Sequence, residues 1–293
     1  MSSATLYTGI TEAKYAAIIH EVVEAALWDK NVVKKLCRQE DISGQPSRAF
    51  QLNFWDANTA AAALTETEDL TNTALTLASV TLTTAEVGAM TTLSDWLLET
   101  SIGMMREVTS YGTQLGMSIA DKIDTDLTSL FSALNGGTAA GAGTADTDVL
   151  DAIADAHFIL DANNAEGVDR SCVLHSEQIS TLRKQVVRSE KTIFHDWASK
   201  TGMYQDANGY VGTMLNADLF MTNNVKEVTG AKRGAMVVPG KTLAYVEKRG
   251  VRPFTERDES LRATEVGATL AYAVGEIRDK NGCAISTNST TSD

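Results

Sequence analysis

Few residues in this chain have types and spacing that suit chemistry. Cys172 and His175 stand three apart, as a metal-ligating or nucleophilic pair would. Zinc needs a second pair at similar spacing. The other cysteines, Cys37 and Cys283, and the other histidines, His20, His157 and His195, are scattered. Packed or surface side chains are the simpler reading. Asp146, Asp148, Asp151 and Asp155 gather where a helix starts. They lack the glycine and closing glutamate of a calcium loop, and attraction to the helix N-terminus accounts for them; a weak divalent-cation site is the alternative. AMVVPGKT, 235–242, imitates a phosphate loop, but position 235 is Ala and the following LAYVEKR reads as a strand. A turn between strands is expected there. GTAAGAG follows a helix and not a strand, so it is no dinucleotide fingerprint. Arg249, Arg252, Arg257 and Arg262 interleave with Glu256, Asp258 and Glu259 around Pro253. They read either as a solvated, salt-bridged loop or as a contact surface for an acidic hairpin of another copy. No catalytic set, cofactor or metal is called for.

The 293 residues are 43% hydrophobic, with 25 Lys+Arg against 38 Asp+Glu and a net charge of −13. Such a chain buries a real core, which excludes collagen-like, coiled-coil and fully disordered classes. An acidic balance argues against a nucleic-acid reader, though not against a wall enclosing nucleic acid. Three widely spaced cysteines imply a reducing compartment. The sequence has no apolar run of membrane-spanning length and its N-terminus does not read as a signal peptide. Charge is unevenly spread. Residues 49–105 hold no Lys or Arg, yet hold Asp56, Glu66, Glu68, Asp69, Glu86, Asp95 and Glu99. An acidic surface meeting a basic one on another copy would fix orientation more than affinity.

The elements that must position these residues follow from periodicity. Residues 11–29 form an amphipathic helical stretch within an arm, 1–47. In 48–93, SRAFQLNFWD alternates with Phe50, Leu52 and Phe54 on one face. ALTLASVTLTT alternates too, with a slip of phase between Leu77 and Val80 that implies a bulge. This is a long Thr-rich two-stranded excursion, expected to lie on a neighbouring subunit because an isolated hairpin is marginal in water. From Ser94 as N-cap to Leu134, apolar or small residues recur every 3.6 positions, predicting one helix about 60 Å long. A flexible loop, 136–146, leads to a helix over 147–163 with Leu150, Ile153, His157 and Leu160 inward. SCVLH is a buried strand, and the next helix opens with Ser176 and Gln178 as a capping pair. Short strands fill 201–250. Residues 264–285 read as a closing hairpin with Leu270, Tyr272 and Val274 on one face, and the final residues as a disordered tail.

This order of parts resembles the major capsid protein fold of tailed bacteriophages, shared with encapsulins and the herpesvirus capsid floor. The phrases that carry it are SRAFQLNFWD, SDWLLETSIGMMREVTSYGTQLGMSIADKIDTDLTSLFSAL, GMYQDANGYVGTMLNADLFMTNNV and RPFTERDESLRATEVGATLAYAVGEI. The resemblance implies an α+β fold with an N-terminal arm (1–47), an extended β loop (48–93), a spine helix and Gly-rich loop in a peripheral domain (94–144), an axial domain (145–247), peripheral-domain strands (248–286) and a tail (287–293). It implies hexamers and pentamers closing into an icosahedral shell around double-stranded DNA in a virion, assembled in the host cytoplasm without sequence-specific DNA binding. Some members carry a fused scaffolding segment ahead of the arm; none stands here, so a separate scaffolding protein is expected, with a portal and a cement protein as further partners. Others cross-link through a lysine of the extended loop, and 49–105 has none. Glu66, Glu68 and Asp69 facing Arg249, Arg252, Arg257 and Arg262 of another copy is the contact the charge map suggests. The rival readings are an encapsulin-type compartment, a soluble enzyme of unknown chemistry, and a secreted β-rich structural protein.

Overall fold

The computed structural model describes residues 21–25, 31–55, 63, 77–96, 104–134, 138–139, 149–165, 167, 169–188, 209–228 and 231–288. Alternating small and apolar residues in LAYVEKRGVRPFTERD and ATEVGATLAYAVGE make the two longest strands, β11 (Leu243–Asp258) and β12 (Ala263–Glu276). They form one antiparallel hairpin with register irregularities around Arg249. β1 (Arg38–Asp41) flanks β11 in parallel and β4 (Ala85–Ser94) flanks β12 antiparallel, giving the order β1-β11-β12-β4.

Each face of this sheet is covered by a different element. On one side lies the helix α1 (Met104–Ser129), continued by a 3-10 turn at Leu130–Ala133. Leu115, Ile119, Ile123 and Leu127 recur every four residues along it, and all are buried with Phe131 against Tyr245, Val266, Leu270 and Tyr272. On the other side lies the ribbon of β2 (Ala49–Trp55) and β3 (Leu77–Thr83). Its Phe50, Leu52, Phe54, Val80 and Leu82 pack on Ile42, Ala244, Val246, Ala273 and Ile277. The ribbon stem thus has a core within its own chain.

A second sheet runs β5-β13-β10-β6-β8-β7, with the short β9 (Glu227–Val228) also paired to β10. Its strands are β5 (Thr138–Ala139), β6 (Arg170–Leu174), β7 (Tyr210–Met214), β8 (Ala217–Met221), β10 (Ala231–Val237) and β13 (Gly282–Asn288). Helices α2 (Val149–Ala162) and α3 (Ser176–Arg188) bury Ile153, Leu160, Ile179 and Leu182 against it.

Several expectations change. The β2–β3 register is continuous from Ala49↔Thr83 to Trp55↔Leu77, so the described ribbon has no bulge; Leu77 simply faces outward. Leu75 lies outside the described residues. Ser94 ends strand β4, paired with Ala263, and Asp95 and Trp96 turn helical directly after it; 97–103 lie outside the described residues, and the described helix Met104–Ser129 tightens to a 3-10 turn before Leu134. The partner of β12 is β11, while β13 crosses to the second sheet, so 264–285 is not one hairpin. That crossing also pairs Thr287 and Asn288, the start of the expected tail, with β10. Within the 136–146 loop, Thr138 and Ala139 pair with β13. On α2, Leu150 and His157 are only part-buried, whereas Val149, Ala152 and Ala156 join Ile153 and Leu160 inside. The cap of α3 is His175: its Nδ1 accepts the Glu177 N–H at 3.2 Å, and Gln178 Oε1 accepts the His175 N–H at 2.9 Å. This is a capping box shifted one residue from Ser176.

Candidate inter-subunit surface

The four arginines singled out by spacing do not sit in a loop. Arg249, Arg252 and Arg257 belong to β11, and Arg262 lies in the turn to β12. β1 pairs with β11 only at 244–247, so the stretch around Pro253 is a sheet edge, where a missing N–H costs little.

Two of the four are neutralised within their own chain. Arg249 donates to Glu86, and to Thr269 Oγ1 at 3.3 Å. Arg257 grips Asp95 with both terminal nitrogens at 2.5 and 2.6 Å, and its Nε lies 3.4 Å from Glu259. The Arg257 hydrogen bond holds the Asp95 carboxyl below the usual range, and the Arg262 charge adds to this. Arg262 adopts a left-handed backbone, φ 49°, and its carbonyl accepts the Asp95 N–H at 3.0 Å. Arg252 has no ion-pair partner among the described residues. Glu66, Glu68 and Asp69 lie outside the described residues.

The register places Arg249 and Arg252 on a banded face, and Arg257, opposite Thr264, on the other. Side chains two apart share a face of a strand. On the side where the ribbon packs, three cross-strand rows follow one another along the sheet. Glu256 stands opposite Glu265, which stands beside Thr92; Phe254 stands opposite Gly267, beside Met90; Arg252 stands opposite Thr269, beside Gly88. The Phe254 ring occupies the space over Gly267, where a Cβ would come within 2.4 Å of it. Met90 is 54% exposed. An acidic, an apolar and a basic row thus lie in sequence. Alternation in RPFTERD and ATEVGATL carried that signal, but the charge density of the segment read as a loop.

The small-molecule candidates come apart. Cys172 is fully buried in β6, where burial pushes its thiol up, and His175 caps α3. All three cysteines are free and buried. His157 Nδ1 lies 2.7 Å from Arg170, which also pairs with Asp161; burial holds the imidazole below its usual pKa. Asp151 and Asp155 lie on the exposed side of α2, and Asp146, Asp148, His20 and His195 lie outside the described residues. AMVVPGKT is the end of β10 and its turn into β11. Among the described residues, no three His, Cys, Asp or Glu side chains gather as a metal site would require, and no helix is long and apolar enough to cross a membrane.

No family model matches the sequence, and no curated protein matches it. Solved structures do match. The structure from Mycobacterium phage Che8 superposes with a TM-score of 0.69 at 19% identity, over 87% of this chain and 90% of that one. The capsid of Ralstonia phage GP4 gives 0.63 at 13% identity, over 88% of each chain. A virus-like particle from Pyrococcus furiosus gives 0.62 at 10% identity, over 93% of this chain and 99% of that one. With a ribbon, a long helix and two sheets among its described residues, and with these matches over 87–88% of its length, this chain has the α+β fold of the tailed-phage major capsid proteins.

Proposed function

We propose that this chain is a major capsid protein. It assembles through hexamers and pentamers into an icosahedral shell that encloses the double-stranded DNA of a tailed bacteriophage. The observation that carries this reading is the end-to-end match to a phage capsid subunit, covering 88% of both chains. The work of such a chain is assembly and not catalysis. Many weak contacts per subunit add up because each closed ring makes the next contact effectively intramolecular. The net charge of −13 suits a wall that confines DNA without binding it tightly. A separate scaffolding protein, a portal and a cement protein are the expected partners, and the virion is the expected location, reached by assembly in the host cytoplasm.

In this reading the peripheral domain combines 94–144 with 248–286, and 145–247 is the axial domain. The excursion within 48–93 reaches a neighbour, where Glu66, Glu68 and Asp69 meet the surface of Arg249, Arg252, Arg257 and Arg262. Arg252 is the strongest of the four for that role, since Arg249 and Arg257 already hold carboxylates of their own chain.

The rival reading is an encapsulin-type compartment loaded with cargo. Light scattering and negative-stain microscopy of the expressed chain, alone and with its neighbouring genes, test the reading. Closed shells or capsomer rings are expected, and their contents separate the two: nucleic acid for a virus, an enclosed protein for a compartment. A monomer under every condition overturns both.

A further inference from the structure

β4 is the outer strand of its sheet, and only one of its edges is used. It pairs with β12 without a break from Ala85↔Tyr272 to Ser94↔Ala263. In the order β1-β11-β12-β4, no strand of the described residues lies beyond it. Alternate backbone N–H and C=O groups of this strand of 10 residues therefore point away from the sheet.

Exposed edges are normally blunted by proline, by charge or by a bulge. The free half of β11 shows this: it carries Arg252 and Pro253, and its register slips around Arg249. β4, AEVGAMTTLS, has none of these devices along its middle. Its only charged side chain is Glu86, near one end, which already holds Arg249 of the same chain. Val87, Thr91 and Thr92 favour extended backbone. Met90, near the middle, is 54% exposed on the ribbon side and ends the apolar row that starts at Phe254.

The strand is also complementary to itself. The pleat requires facing residues to lie on the same side of a sheet, so a two-fold axis through the sheet centres on a residue and not between two. With Met90 at the centre, Glu86 faces Ser94 of the other copy, Val87 faces Leu93, Gly88 faces Thr92 and Ala89 faces Thr91. No acid meets an acid. Met90 meets Met90, so the apolar row from Phe254 runs on without interruption into the same row of the other copy. On the opposite side, Val87 and Ala89, part-buried against the α1 core, are continued by Leu93 and Thr91 of the other copy.

We propose that β4 is where two copies of this chain join edge to edge, antiparallel about a two-fold axis at Met90, in one continuous sheet with four strands from each copy. The inference rests on the shell-subunit reading and names the contact that links one ring of subunits to the next. A two-fold contact closes on itself and cannot build a ring, but a closed shell needs such links between rings as well. Main-chain hydrogen bonds along β4 supply the contact, and the ribbon takes no part in it.

Met90→Cys in the full chain tests this. The native cysteines are buried and stay silent under mild oxidation. Facing residues of antiparallel strands lie about 4.5–5.5 Å apart at Cα, within reach of a disulfide. A covalent dimer is expected on a denaturing gel, with nothing larger. Thr92→Cys, exposed on the same face, would meet Gly88 of the other copy and should stay monomeric. Met90→Lys sets two ammonium groups opposite each other. It should cut the yield of closed shells about tenfold and leave capsomer rings and the melting temperature unchanged. Shells whose Met90→Cys subunits stay monomeric, a dimer from Thr92→Cys, or Met90→Lys shells at wild-type yield would each overturn the proposal. A wild-type chain that forms neither ring nor shell by microscopy fails the shell-subunit reading, and the Met90→Cys gel still decides the two-fold contact.

Discussion

The Asp124 carboxylate accepts the backbone N–H of Val32 at 3.1 Å, across 92 residues of chain. Its other oxygen accepts the Val33 N–H at 3.3 Å. A buried side chain of the long helix α1 thereby caps the 3-10 turn Val33–Leu36, whose own N-cap residue makes no side-chain cap bond. Helix starts leave N–H groups without partners, and buried ones must find an acceptor. Asp124→Ala should therefore destabilise the protein by roughly 1–3 kcal/mol. Hydrogen exchange should show faster exchange at Val32 and Val33, and protection unchanged there would refute the capping role.

Burial raises the Asp124 carboxyl to about 6, against the opposing pull of the Val32 and Val33 hydrogen bonds and with the help of the nearby Asp121 charge. A carboxyl raised in the folded state binds its proton more tightly there than in the unfolded chain. Its contribution is thus full below the unfolded value of 3.8 and is lost as pH rises through about 6. Asp124→Asn should flatten stability between these limits, removing a slope on the order of 2 kcal/mol. Chemical denaturation across that window reads this directly.

Glu276 behaves the same way at higher pH. Burial first, then a hydrogen bond and the charge of Asp279, push it up to about 8. The proton it holds at neutral pH is lost as pH rises through that value, and its stabilising contribution goes with it. Thermal melting points should fall between about pH 4.5 and 8 in the wild type and fall less in Glu276→Gln. Parallel curves for the two proteins would sink the assignment.

Gly275 of β12 faces the ribbon so closely that an added Cβ would come within 2.2 Å of Leu82 Cδ2. Leu82 is buried in the ribbon core and has little room to withdraw. Gly275→Ala should cost about 1–3 kcal/mol by overpacking. Gly44→Ala, with open space around its position, should cost far less and serves as the comparison in denaturant melts.

Shell assembly should weaken as salt rises. The contacts proposed between copies join partly exposed charges, which ions screen over a distance of about 10 Å at moderate ionic strength. Arg252→Ala should reduce that salt dependence, because Arg252 has no carboxylate of its own chain to satisfy. Light-scattering yield measured from low to molar salt decides it, and a flat profile in the wild type would count against an electrostatic contact.

Sequence by itself determined the elements whose periodicity is long. The four-residue recurrence of Leu115, Ile119, Ile123 and Leu127 made a helix with one buried face. The alternation of Phe50, Leu52 and Phe54 made a strand with one buried face. The charge map was equally legible, including an acidic stretch free of lysine and arginine. Tertiary structure decided which elements meet. Ser94 reads as the residue before a helix, and helical backbone does begin at Asp95, but only the sheet shows that Ser94 is also the last residue of a strand paired with Ala263. Gly282–Asn288 reads as the return of a hairpin and the start of a tail, yet β10 offers it a complete ladder in the other sheet. The arginines of β11 look alike in sequence, but Glu86 and Asp95, brought beside them by β4, neutralise Arg249 and Arg257 and leave Arg252 open. Periodicity reports the surroundings of one segment along its own axis. Strand partners, caps and ion pairs depend on backbone and side chains from distant positions, so only the folded chain fixes them.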